Sequence, residues 1–90
     1  MEKILTKHPE GKKGVNISKE KYDIIKNGII ESLKNEDLSY TMITKSVEKK
    51  IDKSFDGSVG WYVESVKLDL EARNIIERVS KTKPQLYRLK

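Results

Sequence analysis

Very few side chains in this sequence are equipped for chemistry on their own. The single histidine, His8, precedes Pro9 within a lysine-rich stretch, and the chain holds no cysteine. Without thiols there is no disulfide framework, no thiolate metal site and no cysteine nucleophile. No serine or aspartate stands at a spacing that pairs a nucleophile with a base, and no cluster of His, Cys and Glu is present to hold zinc. The expectation is a protein that is not an enzyme, with no metal, no cofactor and no small-molecule ligand. What the residues offer instead is charge, with 19 Lys and Arg against 14 Asp and Glu for a formal net charge of +5. Residues 1–21 contribute six Lys against three Glu, and residues 75–90 five bases against one acid. Both ends are therefore basic, and the middle is neutral to acidic. A basic surface attracts polyanions without sequence preference, and it also serves plain solubility. Gly11-Lys12-Lys13-Gly14 lacks the spacing of a P-loop. It still offers backbone N–H groups and two ammonium groups to a phosphate, or is simply a flexible basic turn.

The elements that position these charges can be read from periodicity. Ninety residues make one domain, near the lower end of what a single core holds together. The chain is 36% hydrophobic and 37% charged, richer in charge than the usual ~25%. Its apolar residues nevertheless recur in order, so an ordered domain is expected. No apolar run approaches the ~18 residues of a membrane span, and MEKILTKHPEGKK lacks the apolar middle of a signal peptide. A cytoplasmic location without membrane contact is the expectation. Residues 1–17 read as a basic arm, with Ile4 and Thr6, then Val15 and Ile17, as short extended pieces on either side of a turn. Ser18 is a good N-cap for a first helix from about Lys19 to Lys34, carrying Tyr22, Ile25, Ile29 and Leu33 on one side. Gly28 inside it is read as a mark of tight helix packing. Leu38-Ser39-Tyr40 reads as a short strand, and Thr41 as the cap of a second helix with Ile43, Val47 and Ile51 in a stripe. Phe55 anchors the connection that follows.

The third helix, Ser58 to Arg73, is apolar on two sides. At 100° per residue Val59, Val63, Val66 and Leu70 fall within ~60° of one another and form the core face. Trp61, Ser65, Leu68 and Ala72 fall nearly opposite, with Glu64, Lys67 and Glu71 as a charged strip between. One domain of this size needs one apolar face. Trp61, Leu68 and Ala72 are therefore candidate interface residues, of the aromatic-anchored kind enriched where proteins meet. The arm is an alternative cover, through Ile4, Leu5, Val15 or Ile17. Asn74 suits the left-handed residue that ends a helix. Ile75 to Val79 and Gln85 to Leu89 read as a β-hairpin with Lys81 and Lys83 at its tip and Arg78 and Arg88 along its length.

The order helix, short strand, helix, helix, two-stranded wing resembles the winged helix-turn-helix superfamily. The most specific stretch is VKLDLEARNIIERV, Val66 to Val79, which looks like the junction of recognition helix and wing in many bacterial regulators. GVNISKEKY, WYVESVKLDLEAR and PQLYRL look like a family of short bacterial winged-helix-like proteins of unknown function. The resemblance implies an α+β fold, a winged helix-turn-helix of three helices with a small antiparallel sheet, occupying residues 18–90 after the arm. It implies no established activity; by analogy with winged-helix regulators the expectation is double-stranded DNA as a partner and a place in transcription regulation. By that analogy Ser58, Tyr62, Ser65 and Asp69 face the groove with Lys67 beside them. Lys81 and Lys83 with Arg78 and Arg88 on the wing, and Lys12 and Lys13 on the arm, contact phosphates. Glu64, Asp69 and Glu71 oppose such a grip. The alternative is a protein-interaction or homodimerisation module of the same fold without direct nucleic-acid binding.

Overall fold

A computed structural model describes residues 2–90 and shows an α+β chain. Its elements are β1 (Lys3–Leu5), β2 (Asn16–Ser18), α1 (Lys19–Leu33), β3 (Leu38–Ser39), α2 (Tyr40–Lys50), α3 (Val59–Ala72), β4 (Ile76–Arg78) and β5 (Leu86–Leu89). From α1 onward this is the expected order of three helices, a short strand and a C-terminal hairpin. Among the described residues no helix is long and apolar enough to cross a membrane.

Local chemistry accounts for the helix starts. The Ser18 hydroxyl accepts the Lys21 N–H, and Glu20 sits in the first turn of α1, where the helix dipole favours a carboxylate. The Ser58 hydroxyl accepts the Trp61 N–H at 3.3 Å and starts α3. The second helix is capped two residues earlier than expected. Ser39, not Thr41, holds the extended backbone and accepts the Met42 N–H. The reason is that Ser39 is also the last residue of β3, so one residue closes the strand and opens the helix. Asn74 adopts φ 62°, the left-handed conformation its side chain tolerates, and turns the chain from α3 into β4.

The three-stranded sheet is antiparallel in the order β3-β5-β4, with Arg78 and Leu38 both paired to Tyr87. Tyr87 thus sits at its centre and is buried. The three helices pack on one another with Ile25, Ile29, Ile43, Val47, Val63, Val66 and Leu70 fully buried between them. At Gly28 of α1 a β-carbon would stand 3.3 Å from a Val47 methyl of α2, so the glycine marks a close approach. Ser32 and Ser46 share a 2.7 Å hydrogen bond across the same contact.

The arm is ordered. β1 and β2 pair with Ile4 opposite Ile17, and Ile17 joins the main core. Thr6 closes the hairpin, its N–H donating to the Val15 carbonyl and its hydroxyl accepting the Val15 N–H, both at 2.9 Å.

Candidate interaction surface

The division of α3 into two faces decides what this molecule can touch. Val63, Val66 and Leu70 have no exposed surface. On the opposite side Trp61 is 47% exposed, and Ser65, Leu68 and Ala72 are half-buried. The indole is not loose. It stands edge-on against Tyr62 (centroids 4.9 Å apart), which stands edge-on against Phe55 (5.3 Å), and the Lys21 ammonium lies 5.4 Å from the Tyr62 ring. A β-carbon at Gly57 would meet the Tyr62 ring at 2.7 Å, so the loop before α3 closes on that ring. Tyr62 is consequently a half-buried platform under Trp61. Ser58 and Ser65 lie on the flank of the same outer face, Ser58 with its hydroxyl occupied as the cap.

The charged strip is inverted relative to expectation. Asp69, placed by analogy toward a groove, is completely buried. It accepts the Lys7 backbone N–H at 2.8 Å, two bonds from Arg73 Nε at 3.0 and 2.9 Å, and a short bond from the Tyr22 hydroxyl. Burial, and then the bond to Asp69, push the Tyr22 phenol well above its ordinary pKa. The Arg73 guanidinium is raised by the same carboxylate. The analogy turns Asp69 toward a groove, but Tyr22 of α1 and Lys7 of the arm both close on it.

Lys67 is likewise withdrawn, with 2% of its surface exposed. Its ammonium lies 3.2 Å from Glu64, 3.4 Å from Glu71, 3.3 Å from the Tyr87 hydroxyl and 4.5 Å from the centre of that ring. Burial alone lowers its pKa, but Glu71, Tyr87 and Glu64 outweigh that and the net direction is upward. Lys67 therefore does not stand ready for a phosphate, because the β4–β5 hairpin folds back over the strip and Tyr87 covers it. Arg78 is held 2.7 Å from Glu71, whose side chain is 7% exposed. Arg88 is held 2.7 Å from Glu77, its directly opposite neighbour in the ladder. Both wing arginines keep a partly exposed guanidinium with its charge already matched.

Lys81 and Lys83, at the wing tip, are exposed and have no ion pair among the described residues. The tip is braced by Thr82 and Gln85, which both donate to the Val79 carbonyl. In the arm Lys13 is exposed, and Lys12 makes an exposed 3.1 Å pair with Glu10. The arm does shelter one end of the apolar stripe. Leu5, residues around the turn and Ala72 enclose a shallow concavity of ≈ 460 Å³. Trp61, at the other end of the stripe, is left open, and Leu5 adds a 58% exposed leucine of its own. The sequence offered one sign of the Asp69 cluster, the Asp69-Arg73 spacing of four. The convergence of Tyr22 and Lys7, 47 and 62 residues away, left no mark in it. Among the described residues no group of three His, Cys, Asp or Glu is placed to hold a metal ion.

Neither the curated proteins nor the solved structures contain a match to this chain. One family does match, over residues 3–87, an extent that takes in β1 to β4, all three helices and the first two residues of β5. On that match the chain belongs to the family of unknown function DUF6958.

Proposed function

We propose that this protein is an interaction module, a member of the winged helix-turn-helix superfamily whose third helix docks a protein rather than entering a nucleic-acid groove. The observation that carries the reading is Trp61, 47% exposed on a helix whose only lysine is buried. A groove-reading helix needs cations and hydrogen-bond donors on its outer face. The outer face of α3 presents an indole, a leucine and an alanine flanked by Glu64, the composition of an interface anchor. The test is crosslinking in extracts with the wild-type chain and with Trp61→Ala, which leaves the core untouched. A protein crosslinked to the wild type and lost with Trp61→Ala is the expected result. An identical crosslinking pattern for both chains overturns the reading.

A second reading is binding of double-stranded DNA by a cytoplasmic transcription regulator. It is favoured by Lys81 and Lys83, unpaired at the end of a braced wing, and by the withdrawal of Asp69 and Glu71, two of the three acids that opposed a grip on α3. In this reading the arm and wing supply the charge. A mobility-shift titration with generic duplex DNA, in wild type and in Lys81→Ala/Lys83→Ala, separates the two readings.

A further inference from the structure

The outer face of α3 has two unlike ends. At one end Trp61 projects, flanked by Glu64 (side chain 53% exposed, 3.2 Å from the buried Lys67 ammonium), and around the neighbouring Phe55 the acids Glu20, Asp52 and Asp56 outnumber Lys21. At the other end is the ≈ 460 Å³ concavity floored by Leu5 and Ala72, rimmed by the exposed bases Lys7, Lys12 and Lys13. With Glu10 counted, that rim remains net positive. A knob and acids at one end, a hollow and bases at the other, form a surface complementary to itself when reversed.

We propose that the occupant of this face is a second copy of the chain, paired by a twofold axis that crosses α3 between Ser65 and Leu68. Antiparallel reversal about that point brings Trp61 of each copy to the level of Ala72 and Leu5 of the other, and Leu68 opposite Ser65. The acidic end of each copy then meets the basic end of its partner. A parallel pairing would set acid against acid and base against base, which opposes association. The twofold arrangement is isologous and closes at two copies, so it makes dimers and not fibres. Size requires the arm to take part. A stable interface covers ~800 Å² per partner, about one-seventh of the 5932 Å² that the described residues expose. One helix face some 21 Å long and about 10 Å wide falls short of that. The arm from Leu5 to Gly14, which lines the concavity beside Ala72, extends the patch beyond the helix. The inference rests on the docking reading above and adds the identity of the partner.

Sedimentation equilibrium across a concentration series tests it on the full chain. The expected result is a mass rising with concentration from 10.4 kDa toward twice that value. Trp61→Ala weakens association by roughly thirtyfold or more, as loss of an aromatic anchor does. Glu64→Lys alone and Lys12→Glu/Lys13→Glu alone each shift the equilibrium toward monomer. Mixed together, the two variants recover association, because their ends are again complementary. Circular dichroism of each variant establishes that it is folded. A wild type that stays at 10.4 kDa throughout overturns the second copy as occupant. If Trp61-dependent crosslinking to another protein persists in that case, the docking reading survives it; if that is also absent, both fall. A dimer indifferent to Trp61→Ala, or unrecovered by mixing, places the contact elsewhere and overturns the proposal as well.

Discussion

At the scale of the residue, Asp69 ties three parts of the molecule to one another. It is a carboxylate with no exposed surface that joins α1, α3 and the arm through Tyr22, Arg73 and Lys7. Removing one partner of a buried charged pair costs about 3–5 kcal/mol. Asp69→Ala falls at the low end of that range, since the Arg73 side chain is 32% exposed and can turn to water. Tyr22→Phe withdraws one donor and costs about 1–3 kcal/mol. Chemical denaturation of both variants measures these losses, and a wild-type midpoint for Asp69→Ala contradicts the assignment. Tyr22, together with Lys67, also makes stability depend on alkaline pH. Tyr22 and Lys67 both hold their protons more tightly in the folded chain than their ordinary values of 10.0 and 10.5. The unfolded chain therefore loses these protons first as pH rises. Their contribution is complete below about pH 10 and is lost progressively above it. Melting temperatures followed from pH 8 to 11.5 should fall in the upper part of that range, with a shallower fall for Tyr22→Phe.

At the scale of the element, the arm was the least legible part of the chain. Gly and Lys around a turn describe a loose segment as well as a closed one. What closes it is the pair of Thr6-Val15 hydrogen bonds and a backbone approach at Gly14, where a β-carbon would lie 1.7 Å from the Thr6 carbonyl oxygen. No side chain fits there. Gly14→Ala is therefore expected to open the β1–β2 hairpin and leave the helices folded. Amide hydrogen exchange reads this directly. Protection should be lost at Thr6, whose N–H bonds the Val15 carbonyl, and retained at Val79, whose N–H bonds the Leu86 carbonyl. Equal protection in the two proteins contradicts the prediction. The helices were legible because Ser18 and Ser58 are local caps and the Ile, Val and Leu stripes repeat within a few turns. Ser39 was passed over for Thr41 because its second role, as the end of a strand, depends on Leu86 across the sheet.

At the scale of the whole molecule, the formal charge of +5 overstates what a polyanion can grip. Of the seven cations named from the sequence, Lys67 is buried and Arg78 and Arg88 are matched by glutamates. Lys13, Lys81 and Lys83 remain, together with Lys12, whose pair with Glu10 is exposed to water on both sides and therefore weak. Four phosphate contacts give a log–log salt dependence of about −3.6, and fewer contacts a shallower one. If the chain binds duplex DNA, titrations at several salt concentrations should return a slope no steeper than that. A steeper slope would mean that further exposed lysines, such as Lys7 of the arm or Lys45, Lys49 and Lys50 of α2, take part as well. In the proposed dimer Lys12 and Lys13 face the partner copy, so Lys81 and Lys83 of each copy remain and the slope per copy is shallower still.

The class of fold, the number and sites of the helices, the C-terminal hairpin and the doubly apolar character of α3 all follow from signals within a few residues of one another. Periodic burial, caps and a left-handed Asn74 are local physics, and a linear sequence displays them. The fate of each charge and the cover of each face are not local. Asp69 becomes a buried hub because Tyr22 and Lys7 arrive from 47 and 62 residues away. Lys67 leaves the surface because Tyr87, 20 residues on, closes over it. Trp61 stays open because the arm reaches Ala72 and stops short. The energy of a charge or an indole depends on what stands within a few ångströms of it, and that is settled only once the chain has packed.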